Sequence, residues 1–321
     1  MTWLITGGAG YIGSHVVAAA RAAGISVVVI DDLSAGFADR VPTEVPFIHA
    51  DIADRVAVSA AVEKYGITGV VHLAAKKQVG ESVEQPLMYW DWNIGKMISF
   101  LDVLTSLGVR QVVYSSSAAV YGNPADGSTA LTEATECVPL SPYGATKLAG
   151  EILIDSLVSS GLLSGISLRY FNVAGAGDPV LADRMAFNLI PIALTQMEQK
   201  QSITVFGTDY DTPDGTCIRD YVHVEDLADA HVSAMQQLAA GGAGHLVLNI
   251  GTGHGASVLD IVHALEKCAG TAVQWHDAGR RAGDPTSVVA SPAKAVEVLG
   301  WRSRRSLEDI VSSAFAAWPR G

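Results

Sequence analysis

The stretch Thr2-Trp3-Leu4-Ile5-Thr6-Gly7-Gly8-Ala9-Gly10-Tyr11-Ile12-Gly13 decides how this chain is read. Residues 3–6 form a short apolar run of the length of a buried strand. An Ala-rich helix is expected from about Ile12 to Ala23, stopped by Gly24. Between them Gly7, Gly10 and Gly13 allow a tight turn, and they let the backbone approach a pyrophosphate at the positive helix N-terminus. Residues 27–30, Val-Val-Val-Ile, make the next strand, and Asp31 closes it 18 residues after Gly13. A carboxylate at that place accepts hydrogen bonds from both ribose hydroxyls and repels a 2′-phosphate. Asp32 adds to the repulsion, so the expected cofactor is NAD rather than NADP.

Outward from this turn, short apolar runs alternate with helical stretches. Strands are expected at 47–50, 69–73, 111–114 and 166–170, and helices at 55–65, 86–107 and 142–159. Parallel strands need crossovers, so the alternation predicts an α/β chain: a Rossmann-type doubly wound parallel sheet with a smaller C-terminal substrate domain. After Asn172 the rhythm breaks. Residues 173–220 read as long loops, 246–250 as a strand, 258–269 as a helix, 271–305 as irregular and 307–317 as a short helix. The expected division is an NAD-binding part over 1–172, with a strand and helix from about 221–250 returning to it. Residues 173–220 and 251–321 would form the substrate part.

The 321 residues are 49% hydrophobic and 17% charged, a globular composition. A formal charge of −12 repels phosphate backbones, which argues against general nucleic-acid binding. Cys137, Cys217 and Cys268 are too few and too scattered for a disulfide framework or a metal site, and no metal is expected. No signal segment precedes the first strand, and no apolar run reaches the ~18 residues of a membrane span. The expected location is the cytoplasm.

Ser115-Ser116-Ser117 follows a strand, where ligand sites of open α/β sheets lie. Tyr143 and Lys147 open a helix at i and i+4, so phenol and ammonium share one face. A phenol at ~10 is a poor base at pH 7, and lowering it to ~7 asks for about 4 kcal/mol of differential interaction. Lys147 and a charged nicotinamide ring would supply it, leaving Tyr143 as base on a hydroxyl and Ser117 to orient or relay its proton.

These residues resemble an extended short-chain dehydrogenase/reductase and, within that group, the UDP-glucose 4-epimerase (UDP-galactose 4-epimerase) family. The resemblance runs through residues 7–15, 79–83, 115–122, 169–172 and 205–210, and is most specific at Asp214-Gly215-Thr216-Cys217-Ile218-Arg219-Asp220-Tyr221-Val222-His223-Val224. It implies reversible NAD-dependent 4-epimerisation of UDP-glucose and UDP-galactose through a 4-keto sugar. NAD contacts would fall on Tyr11, Ile12, Asp31, Asp32, Leu33, Ser34, Ala35 and Gly36. Further ones would be Asp51, Ile52, Leu73, Ala74, Ala75, Lys77, Asn93, Tyr143, Lys147 and Phe171. The UDP-sugar would meet Ser117, Tyr143, Asn172, Asn188, Leu189, Thr204, Val205 and Phe206, and beyond them Arg219, Arg281, Asp284 and Val288. Arg219 and Arg281 suit bidentate contact with phosphate oxygens, and Phe206 offers a flat face to uracil.

The resemblance also implies a homodimer through the helices near 86–107 and 142–159. A small residue at Val288 implies room for UDP-N-acetylhexosamines. The chain departs from the pattern at Val173, where members often have Pro, and at Gly95-Lys96, where Asn-Gly is usual. Its loop 175–187 is also shorter. A 4,6-dehydratase of the same superfamily would need an acid beside the serines, where this chain has Ala118 and Ala119. A binding protein on a dead dinucleotide fold would tend to lose Tyr143 or Lys147.

Overall fold

The computed structural model describes residues 1–123, 130–185, 187–281 and 283–318. β1 (Thr2–Thr6), β2 (Ser26–Asp31), β3 (Phe47–His49), β4 (Ile67–His72), β5 (Gln111–Ser117) and β6 (Ser164–Tyr170) lie in one sheet with strand His245–Ile250. All seven run parallel, in the order (His245–Ile250)-β6-β5-β4-β1-β2-β3. Alternate residues of each inner strand serve two different cores. Ile5, Val29, Val71 and Val113 face α1 (Tyr11–Ala22) and helix Val224–Ala239. Leu4, Val28, Val70 and Val112 face helices Arg55–Tyr65 and Lys96–Ser106. A sheet covered on both faces explains why these strands are continuously apolar rather than alternating. Each such side chain, taken wholly out of water, contributes roughly 1.5–3 kcal/mol.

Local chemistry sets the helix ends. Asp54 caps Arg55–Tyr65 by accepting from the amides of Val56 (3.1 Å) and Ala57 (3.0 Å), and Gly66 ends it in the left-handed region. Ser141 caps Pro142–Ser159 through the Gly144 amide at 3.2 Å. The single helix expected over 86–107 is instead Pro86–Trp90, a wide π turn Asp91–Gly95, and Lys96–Ser106. The extra residue of such a turn is invisible to an apolar period, and Asn93, which lies in it, is buried.

The order of strands reverses between β1 and β4, which opens a crevice at the carboxyl ends. Beyond that crevice a second sheet joins Gly255–Ser257, Ile218–His223 and Ser287–Val288, with Asn172–Ala174 also paired to Ile218–His223. Strands Ile203–Val205 and Trp275–Asp277 pair separately. Helices Leu189–Glu198, Val258–Ala269 and Leu307–Ala317 bury Ile190, Leu194, Ile261, Leu265, Ile310 and Val311 in a core of their own. Thus 173–220 and 271–305, read as loops and irregular chain, hold short strands and the helices Leu189–Glu198 and Ala293–Leu299. Strands of two or three residues are too short to show a period. Ala295 and Trp301 pack back into the core that holds Ile5. Among the described residues no helix is long and apolar enough to cross a membrane.

Candidate active site

The glycine turn lies where β1, β2 and β4 end together. Gly7 sits at φ +70°, and a Cβ there would lie 3.0 Å from the Ala74 amide nitrogen. A Cβ on Gly13 would lie 2.1 Å from the Gly7 carbonyl oxygen. Only glycine permits this packing of turn, helix start and the loop after β4. Thr6 Oγ1 accepts from the amides of Leu73 (3.1 Å) and Ala74 (3.2 Å) and therefore donates to His72 Nδ1 at 2.9 Å. That fixes the loop carrying Leu73, Ala74 and the exposed Ala75 and Lys77. Gly10 caps α1 with no side chain of its own in the way, which leaves the helix N-terminus open to an anion.

The Asp31 carboxylate accepts from the Ala9 amide at 2.9 Å and the Leu33 amide at 2.8 Å. Burial nevertheless pushes its pKa up. Each oxygen keeps a lone pair for a ribose hydroxyl. Leu33 is held at φ +59°, Asp32 Oδ1 accepts from the Ser34 amide, Ser34 and Ala35 are exposed, and Gly36 packs against Asp31. This arrangement fits an NAD ribose and pyrophosphate: an acid for two hydroxyls, a glycine cradle and a free helix N-terminus.

Asp51 and the buried Ile52 lie on the loop after β3. Asp51 is ion-paired with Lys96, whose ammonium also lies 3.4 Å from the centroid of the Trp92 ring. The Lys96 that departs from the family pattern thus has a definite partner, and sequence reasoning had missed it. Asn93 accepts from the Lys76 amide (2.8 Å) and donates to the Lys76 carbonyl (3.1 Å) and Thr146 Oγ1 (3.0 Å). With both amide protons engaged, Asn93 ties the loop after β4 to helix Pro142–Ser159.

The three serines are the last residues of β5 rather than a loop after it. Each meets one turn of helix Pro142–Ser159. Lys147 Nζ donates to the Ser115 carbonyl at 2.7 Å, while the Tyr170 hydroxyl donates to Ser115 Oγ. Ser116 donates to Glu151. Ser117 Oγ accepts from the Ala119 amide at 3.2 Å and is a hydrogen-bond partner of Tyr143. Positions 143, 147 and 151 recur every four residues and form one stripe down the helix. Burial pushes the Tyr143 phenol up, with Ser117 pulling the other way, and brings Lys147 down to about 7. Lys147 is itself desolvated and stands 5.9 Å from the Tyr143 ring centroid, so burial wins among the chain's own groups.

Under this stripe lies a network that sequence reasoning did not find. Arg169 donates to Glu151 through Nε (2.9 Å) and Nη2 (2.6 Å) and to the Tyr121 hydroxyl (3.0 Å). Tyr121 donates to Asn249 Oδ1 at 2.6 Å. Its signal was an arginine inside an apolar strand, which demands a buried partner.

The residues expected to meet a UDP-sugar line the second sheet and its neighbours. Arg219 is paired with Asp284 and donates to the Ile218 carbonyl at 2.7 Å. Its neighbour Asp220 is wholly buried, accepting from Thr252, Gly253 and Ala290, and is not its partner. The Arg281 guanidinium lies 3.6 Å from the Phe206 ring centroid. Thr204 is hydrogen-bonded to Gln196, and the Val205 side chain is fully buried, leaving only its backbone to reach a ligand. Asn188 precedes helix Leu189–Glu198 without a side-chain cap bond and donates instead to Asp183 at 3.4 Å. Val288 pairs with Arg219 across the sheet and packs against the cluster of Phe171 and Tyr121, while Asn172 is exposed at a strand start. Ala186 of the 175–187 loop and Ala282 lie outside the described residues. Among the described residues no cluster of His, Cys, Asp or Glu could hold a metal, and the three cysteines are free.

Residues 3–251 match the NAD dependent epimerase/dehydratase family. The chain belongs to that family. It is similar to the UDP-glucose 4-epimerase of Azospirillum brasilense, 44% identical over 99% of this chain and 91% of that protein. A crystal structure of UDP-glucose 4-epimerase from Stenotrophomonas maltophila, with bound NAD and formylated UDP-arabinopyranose, superposes with a TM-score of 0.93. Its identity is 39%, covering 99% of this chain and 97% of the other. The Bifidobacterium longum UDP-glucose 4-epimerase, in complex with NAD+ and UDP, gives a TM-score of 0.90 at 34% identity, covering 98% and 97%. The family likeness runs through both the parallel sheet and the second sheet.

Proposed function

We propose that this chain is an NAD-dependent epimerase that interconverts UDP-glucose and UDP-galactose through a 4-keto sugar. One observation carries the reading: Tyr143, Lys147 and Ser115–Ser117 interlock where β5, a strand of the nucleotide-type sheet, ends. The complexes of NAD and UDP compounds with similar proteins support it.

Asp31, the glycine turn, Leu73 and Ala74 would hold NAD. When bound, NAD supplies the redox chemistry that oxidises and then reduces C4. Tyr143 Oη takes the proton from the 4-hydroxyl and later returns it, with Ser117 holding the hydroxyl in line. Lys147, anchored on the Ser115 carbonyl, holds its Nζ on the same helix face as the phenol. Burial disfavours the phenolate, and a positively charged nicotinamide ring beside Tyr143 would favour it when NAD is bound. The sugar has to turn in its pocket between the two halves of the reaction. Binding therefore rests on the nucleotide: Phe206 for the base, Arg219 and Arg281 for the diphosphate. Asn172, Asn188, Leu189, Thr204 and Asp284 complete the pocket.

In this reading residues 1–172 and the return at about 221–250 serve NAD. Residues 173–220 and 251–321 hold the UDP-sugar. Valine at position 288 takes less space than an aromatic side chain would, and on that ground the range extends to UDP-N-acetylhexosamines. The working form is a homodimer in the cytoplasm, where its three free thiols stay reduced. Purified protein incubated with UDP-galactose should yield UDP-glucose with no net consumption of dinucleotide, and UDP-N-acetylgalactosamine should react in the same assay. A 4-keto-6-deoxy product, or none, would overturn the reading.

A further inference from the structure

The backbone that leaves strand Asn172–Ala174 toward the pocket residue Asn188 is held at residues 175–177 by side chains. Three consecutive residues are each held by a different group. The Gly175 carbonyl accepts from the Tyr11 hydroxyl at 2.6 Å, the Ala176 amide donates to Ser313 Oγ at 3.2 Å, and the Gly177 amide donates to His15 Nε2 at 3.0 Å. Tyr11 and His15 both come from the first turns of α1, one turn apart, with their rings edge to face at 5.5 Å.

His15 has one workable form here. Its Nδ1 stands 2.8 Å from the Tyr11 carbonyl, which can only accept, so Nδ1 carries the proton. Nε2 then bears the lone pair that the Gly177 amide needs. The ring is 3% exposed, and that burial helps hold its pKa down to about 4, so the form persists at neutral pH. The far end of the same segment is held from the same side. Arg40 donates to the Ala182 carbonyl, Arg184 pairs with Asp39 at 3.0 Å, and Asp183 meets Asn188.

We propose that His15 is a positioning residue for the sugar-nucleotide pocket: through the Gly177 amide it sets the segment that presents Asn188 and Leu189. His15 touches neither the reacting atoms nor the diphosphate side chains. The inference rests on the epimerase reading.

The test is steady-state kinetics with UDP-galactose, with NAD content measured on each purified protein. His15→Leu removes the acceptor and should raise KM about tenfold, with kcat within threefold of wild type and NAD content unchanged. His15→Gln, whose Oε1 can accept from Gly177, should return KM to within threefold of wild type. Ser313→Ala, which frees the adjacent amide from the other side, should raise KM in the same direction, and it carries the test if His15→Leu does not fold. An unmoved KM, a fall in kcat alone, or no rescue by Gln overturns the proposal. An inactive wild-type protein overturns the epimerase reading instead.

Discussion

At the scale of single residues, the reaction turns on one phenol. Tyr143→Phe removes a single oxygen from a half-buried ring that Ser117 and Lys147 flank, so kcat should fall at least a hundredfold while NAD stays bound. The check is turnover of UDP-galactose together with release of the dinucleotide on denaturation. Asp31, Ser117, Tyr143 and Lys147 were legible in the sequence because fixed spacing within one strand or helix dictates which side chains converge. The partner of Arg219 was not. The obvious neighbour, Asp220, projects from the opposite face of the same strand, and the true partner, Asp284, arrives from a distant loop. Asn93 was legible as a member of the site but not as a tie between two elements, since sequence carries no record of which protons a side chain has already given away.

At the scale of elements, β5 and helix Pro142–Ser159 are pinned by the three serines, and the pin ends in the Glu151–Arg169 pair, both side chains of which are at most 7% exposed. Glu151→Gln should leave Arg169 uncompensated and lower unfolding stability by about 3 kcal/mol. Asp102→Asn, which breaks the exposed Arg55–Asp102 pair, should change it by no more than about 0.5 kcal/mol. Urea melts of both variants would decide, and equal effects would mean that the buried pair does not hold the two elements together. Periodic helices such as Arg55–Tyr65, Pro142–Ser159, Val258–Ala269 and Leu307–Ala317 lie close to where the sequence puts them. The π turn at Asp91–Gly95 and the two-residue strand Ser287–Val288 were not, because neither leaves a period to count.

For the whole molecule, Leu87, Ile98 and Ile152 stand exposed on the helices proposed to pair two copies. Light scattering at micromolar concentration should return twice the chain mass, and a monomer there would remove the dimer. Acid should unfold the protein early. Burial is the main cause holding His15, His223 and His231 at about 4 and His72 at about 3, against 6.5 when exposed. Below pH 6.5 the unfolded chain binds protons that the folded one refuses. Their contribution is thus complete above that pH and drains away down to about 4, by roughly 1.4 kcal/mol per histidine per pH unit. Denaturant midpoints at pH 7.5 and 5.5 give the check, and equal midpoints would contradict it. The order of strands bears on synthesis as well. Strand His245–Ile250 covers the outer edge of β6, yet the ribosome makes it long after β6 itself. At 5–20 residues per second a nascent chain carries that open edge for several seconds, a template for mispairing with its neighbours on a polysome. Truncation anywhere before residue 245 should therefore give insoluble rather than merely inactive protein.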